Sequence, residues 1–174
     1  MKNSSILIGV IPLLMACQYS GKNLKDVFSS DTIQSPYKIQ EFKNWKLGTD
    51  STNSFKMLRL LKGFEKLDTA MMSAEMADTV IFFLDGYRFN GSRSRLLQQM
   101  ENEFNRMNTF KITVYEVIPL VNDSEESVNL WYEQINITKE GKIDTVYLYN
   151  KVKFKKGKIV ELIEYIQHPV PVIN

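Results

Sequence analysis

The feature that most constrains this chain is residues 142–167, where IDTVYLYNKVKF and IVELIEYIQ flank Lys155-Lys156-Gly157-Lys158. β-Branched and aromatic residues alternate with polar ones on both sides of a lysine and glycine turn, the pattern of a long antiparallel hairpin. Residues 110–121 and 127–138 alternate in the same way, with polar turns at 122–126 and 139–141, so the C-terminal half reads as a four-strand meander. Pro119 has no amide proton to give a ladder and belongs at an edge or a bulge. Pro169 and Pro171 end the sheet.

The preceding region is mainly helical. Asp50-Ser51-Thr52-Asn53-Ser54 clusters helix-capping residues, and Met57, Leu60, Leu61, Phe64 and Leu67 then recur on one helix face, predicting a first helix to about Leu67. Thr69 caps a short second helix through Met76, whose methionines read as adaptable core. TVIFFL (79–84) is a buried strand, and Asp85-Gly86 is a turn. Asn90-Gly91-Ser92 is a second turn that opens a third helix with Leu96, Leu97, Met100, Phe104 and Met107 on one face. The predicted class is α+β, with three N-terminal helices packed on a mostly antiparallel sheet.

Ahead of the helices, MKN precedes an apolar run over residues 6–16. Eleven residues of helix rise about 16 Å, roughly half of a hydrocarbon core, which makes this a leader and not a membrane span. It ends in Leu14-Met15-Ala16-Cys17, which resembles the bacterial lipobox. The resemblance implies a lipoprotein signal peptide over residues 1–16, acyl chains of the palmitate type on Cys17, and attachment to the lipid bilayer, because several chains hold where one is marginal. Gln18 favours the outer membrane by the same resemblance. A plain secretory leader with an incidental cysteine is the alternative. Residues 17–50 comprise the lipidated cysteine, a serine-rich tether and a segment, 37–47, rich enough in large apolar groups either to dock on the domain or to lie on lipid. The domain proper is 51–168, and 169–174 is a tail.

Cys17 is the only cysteine, so no disulfide and no second thiol is available to the mature chain. A net charge of +2, falling to +1 once Lys2 leaves with the leader, offers little attraction for nucleic acid, and none is expected as a partner. His168 is the sole histidine and reads as a surface residue, leaving little for a catalytic triad or a metal site. No phosphate-cradling glycine loop occurs, and no cofactor is predicted. Lys151, Lys153, Lys155, Lys156 and Lys158 form either a solvated face or a contact with anionic head groups.

Four stretches in order carry a resemblance: Phe64-Glu65-Lys66-Leu67-Asp68, Ala77-Asp78-Thr79-Val80, Phe89-Asn90-Gly91 and Phe154-Lys155-Lys156-Gly157-Lys158-Ile159-Val160. Together they resemble the nuclear transport factor two-like superfamily, including SnoaL-like polyketide cyclases and ketosteroid isomerases, and are most similar to small lipoproteins of Bacteroidetes-type bacteria. The resemblance covers about residues 54–167. It implies a curved sheet wrapped around the helices to form a cone-shaped pocket, but not one function, because members include enzymes, binding modules and subunit-association modules.

Strand alternation groups Trp131, Glu133, Ile135 and Ile137 on one face, and Val146, Leu148, Asn150, Val152 and Phe154 on another. Matching the last strand to the family puts Val160, Leu162, Glu164 and Ile166 inward, so the expected polar set is Glu116, Glu133, Asn150 and Glu164. Transfer from ketosteroid isomerase places its general base at or beside Phe83 and its proton donor on Asn150, so that mechanism lacks both ends. Asp85 is the nearest alternative base and reads as a turn residue.

The expectation is a membrane-anchored, non-catalytic pocket protein for a small apolar ligand or a protein partner, with Phe83, Trp131, Glu133, Asn150 and Glu164 as binding residues. A SnoaL-like isomerase, cyclase or hydrolase using Glu133 or Glu164 as base is one alternative. A structural module with a filled cone, forming a homodimer through an outer sheet face with Tyr147, Tyr149, Ile163 and Tyr165, is another. A cavity of a few hundred Å³ would separate the first two from the third. An acid buried beside Asn150 with a strongly raised pKa would move the reading from binding to catalysis.

Overall fold

The computed structural model describes residues 44–169; the leader, Cys17, the tether, the start of the 37–47 segment and the end of the tail lie outside the described residues. In chain order the elements are β1 (Lys46–Leu47), α1 (Thr52–Glu65), α2 (Thr69–Glu75), β2 (Met76–Leu84), β3 (Tyr87–Ser92), α3 (Arg93–Phe104), β4 (Met107–Val121), β5 (Glu126–Thr138), β6 (Ile143–Lys155) and β7 (Lys158–Gln167). The strands form one sheet in the order β1-β4-β5-β6-β7-β2-β3. Among the described strands only the β2–β7 pair is parallel. The fold is therefore α+β, with three helices and a mostly antiparallel sheet.

The helices form where apolar spacing and caps agree. Asp50 Oδ1 accepts from the Thr52 amide at 2.8 Å, Asp68 caps α2 through the Met71 amide at 2.9 Å, and Ser92 caps α3 through the Arg95 amide at 3.4 Å. α1 and α2 precede β2, and α3 precedes the long strands β4 to β7 as the sequence order implies, but where one strand and two turns are expected between α2 and α3 the structure has a β2–β3 hairpin, so the three helices are not one N-terminal block. The cause is β3 itself, which the sequence disguises as a turn. Gly91 pairs with Val80 in the ladder, and a Cβ there would stand 3.1 Å from the Phe89 ring, so this glycine makes room for a buried aromatic instead of reversing the chain. Met107 likewise opens β4 and does not extend α3.

The C-terminal hairpin turns at Lys156 and Gly157, both at positive φ (52° and 68°), the backbone that a two-residue hairpin requires. Lys56 Nζ of α1 donates to the Gly157 carbonyl at 2.7 Å, tying that turn to the first helix. At the other sheet edge Lys46 and Leu47 pair with Val121 and Leu120, Gly48 N donates to the Pro119 carbonyl at 2.9 Å, and Lys151 Nζ lies 5.8 Å from the Trp45 ring centroid. Pro119 thus sits where only its carbonyl is needed. The core lies between the helices and one sheet face: Met57, Leu60 and Leu61 of α1, Met72 of α2 and Leu96 of α3 meet Val128, Leu130, Leu148, Val152, Ile159 and Leu162. Burial of this apolar area drives the packing.

Candidate functional site

A cavity of about 690 Å³ lies within the described residues, in the size range of small-molecule sites. Its walls are largely apolar. Phe64, Phe104 and Phe110 form one aromatic wall, with Phe64 stacked on Phe110 at 4.3 Å and edge-on to Phe104 at 5.4 Å. Met57, Met72, Phe82, Leu148 and Leu162 supply much of the rest. The exposed lining residues Tyr87, Asn102, Glu103, Asp144 and His168 mark where it meets solvent.

Three polar side chains from adjacent strands converge on its wall. Glu164 on β7 pairs with Asn150 on β6, and Asn150 pairs with Leu130, two residues from Tyr132 on β5. Asn150 Nδ2 donates to the Tyr132 hydroxyl at 3.1 Å, and that hydroxyl donates a long bond of 3.5 Å to Glu164 Oε2. Asn150 is 1% exposed and Tyr132 2%. Desolvation dominates the electrostatics and pushes the Glu164 carboxyl up to about 7; Asn150 and Tyr132 oppose that rise by hydrogen bonding, and the charge of Asp85 adds to it. Burial, with Glu164 nearby, likewise holds the Tyr132 phenol well above its ordinary value.

Of the five residues expected in the pocket, Asn150 and Glu164 line the cavity. Phe83, Trp131 and Glu133 do not, and each is placed outward for a definable reason. Phe82 is 2% exposed and takes the inward place on β2, leaving Phe83 outside beneath the Arg88 guanidinium at 5.2 Å. On β5 the residues facing the cavity are Tyr132, Gln134 and Asn136; Trp131 is 44% exposed, and Glu133 accepts from Tyr115 Oη at 3.3 Å on the other face. Apolar residues occur at both parities of this strand, so hydrophobic alternation has no unique phase. Glu116 pairs with Trp131 on the outer side because a bulge between Val114 and Glu116 inserts one residue and reverses which parity faces in. On β7 a slip after Lys153 puts Ile159 inward in place of Val160.

Tyr132 was missed among the candidate residues, although the buried alternation Val128-Leu130-Tyr132 was available to find it. His168, expected on the surface, is exposed and also lines the cavity. Among the described residues no group of three histidine, cysteine, aspartate or glutamate side chains is placed to hold a metal ion.

No protein-family model matches the chain, and no curated protein matches its sequence. Solved structures do. An NTF2-like protein of unknown function from Burkholderia pseudomallei superposes with a TM-score of 0.57 at 15% identity, covering 68% of this chain and 92% of that one. An LEH-like epoxide hydrolase of M. tuberculosis gives 0.59 at 12%, covering 69% and 86%, and an NTF2-like protein of unknown function from Cytophaga hutchinsonii gives 0.51 at 19%, covering 70% and 95%. At such identities the likeness speaks for architecture, and with the sheet order and helix placement above it supports one conclusion: this chain has the NTF2-like fold.

Proposed function

We propose that this chain is an envelope lipoprotein, anchored through acylated Cys17, whose cavity takes a small, mainly apolar molecule and uses Glu164 to move a proton on it. The carrying observation is a carboxyl group on the wall of a mainly apolar cavity, within reach of Tyr132 and Asn150, where desolvation pushes it up to about 7. An acid of that strength is divided between its charged and neutral forms at neutral pH, the condition under which a general acid or base works best. Tyr132 and Asn150 orient the carboxylate, and the apolar lining lowers the polarity around it. Solved proteins of this fold named as an epoxide hydrolase and a putative polyketide cyclase are in keeping with a catalytic use of the cavity. This reading departs from the non-catalytic expectation because Glu164, half-buried beside the fully buried Asn150 and pushed upward by desolvation, is the feature that discriminates the two.

Nitrobenzisoxazole tests the base without knowledge of the natural substrate. Abstraction of its ring C–H proton by a carboxylate breaks the N–O bond and releases a coloured cyanophenolate. The protein should accelerate this reaction, with a rate that rises with pH through about 7 as Glu164 ionises. Acceleration that is unchanged in Glu164→Gln would sink the proposal. The anchor rests on Leu14-Met15-Ala16-Cys17 and has its own test. A labelled fatty acid should mark the wild type and leave Cys17→Ser unmarked; equal labelling would remove the lipoprotein reading.

A further inference from the structure

The cavity has an electrical character opposite to that of the chain. The protein carries a net charge of +2, yet the side chains lining the cavity include three carboxylates, Glu103, Asp144 and Glu164, and among the described residues no lysine or arginine. His168 is the one basic group on the lining. Glu103 pairs at 3.5 Å with Arg106, which is not a lining residue. Three of the four lysines of β6 and β7 are used elsewhere: Lys151 lies over Trp45, Lys153 bridges Glu125 and Glu161, and Lys158 donates to the Ala74 carbonyl.

A second, independent observation lies where the three strands converge. The hydroxyl proton of Tyr132 goes to Glu164 and the amide of Asn150 donates to Tyr132, while Asn150 Oδ1, fully buried, has no hydrogen-bond partner among the described residues. An amide oxygen and a carboxylate offer more acceptor positions than this trio has protons to fill, whichever way the amide is turned. A buried acceptor left without a donor costs free energy that an incoming donor recovers.

We infer that the molecule taken by this cavity is a hydrophobe ending in a hydrogen-bond donor, an alcohol or an amine, which presents that end to Asn150 Oδ1 and Glu164. A hydrophobe ending in carboxylate, phosphate or sulfate is excluded. The inference rests on the small-molecule reading above and adds the chemical class. Where Glu164 is charged, as it mainly is near pH 8, an anionic end would meet it with no lysine or arginine on the lining, in surroundings that screen like charges less than bulk water does. A donor end fills the vacant acceptor, and the apolar remainder lies along the phenylalanine wall.

The test compares three probes of one chain length, 1-decanol, decylamine and decanoate, titrated calorimetrically into the full chain carried as Cys17→Ser to keep it free of acyl chains. Near pH 8 the amine is cationic and the acid anionic. Decanol or decylamine should bind at least about 100-fold more tightly than decanoate, the order of discrimination set by an unpaired buried charge. Decylamine ahead of decanol assigns the end to a cation, and the reverse assigns it to a neutral hydroxyl; either order supports the inference. Glu164→Gln, an isosteric change, should shrink the penalty on decanoate about tenfold or more. Decanoate binding as tightly as decanol would overturn the inference while leaving the small-molecule reading in place. Failure of all three probes to bind would overturn both.

Discussion

The two faces of strands β5 to β7 carry the same residue types and have opposite chemistry. On the concave face Tyr132, Asn150 and Glu164 are packed against phenylalanine, leucine and methionine, and the carboxyl is pushed up to about 7. On the convex face Glu133 meets an exposed tyrosine hydroxyl, Tyr149 and Tyr165 lie 6.3 Å apart, and lysines project beside them. The two glutamates are both half-buried and differ in their neighbours: Glu164 stands beside buried Tyr132 and Asn150 in the cavity, and Glu133 beside an exposed tyrosine. Around Glu164 the loss of water raises the energy of the charged carboxylate.

Four measurements sharpen or break that contrast. The largest effect should be kinetic: Glu164→Gln should lower nitrobenzisoxazole turnover by about 100- to 10,000-fold, the usual contribution of a general base, whereas Glu133→Gln should leave it unchanged. Equal losses in both variants would mean that the faces do not differ in chemistry. Next is stability. Phe110→Ala removes a 6% exposed ring stacked on Phe64 and should cost about 3–5 kcal/mol by urea denaturation, against roughly 0.5 kcal/mol for Trp131→Ala at 44% exposure.

The third is the pH dependence of stability. Desolvation in the folded chain pushes the Glu164 carboxyl from its ordinary 4.5 up to about 7, so between these limits the folded state binds more protons than the unfolded one. Stability from this group is therefore fully present below about 4.5, declines as pH rises and is lost above about 7. The difference between wild type and Glu164→Gln, read from urea midpoints across this window, should carry that negative slope. A flat difference would place Glu164 in water. The smallest effect should come from Tyr132→Phe, which removes a long hydrogen bond to the carboxylate and should move the Glu164 titration further upward, as followed by carbon NMR of the labelled carboxyl. A downward movement would show that Tyr132 does not stabilise the charged form.

Much of the fold was legible because its signals are local. Met57, Leu60, Leu61 and Phe64 announce α1 by spacing alone, and the Lys156-Gly157 turn sets β6 antiparallel to β7, with one slip after Lys153. Strand β3 was hidden because Asn90-Gly91 is a strong turn signal, and only the neighbouring Phe89 ring explains why a glycine stands there in a ladder. The site was legible on β6 and β7 and illegible on β5. In β6 the apolar residues Val146, Leu148, Val152 and Phe154 share one parity, so the face of Asn150 follows from them. In β5, Leu130 and Tyr132 compete with Trp131, Ile135 and Ile137 for the inward place, and a period of two cannot choose between two apolar sets.

The chain by itself determined its three helices, its last four strands and their order, the outward lysines and the polarity of Asn150 and Glu164, because each follows from neighbours a few residues away. Only the tertiary structure decided which face of β5 looks inward, that β2 lies parallel beside β7, and that Tyr132, Asn150 and Glu164 meet. These depend on pairing between strands far apart in the chain and on the exclusion of water from a space that no single segment encloses.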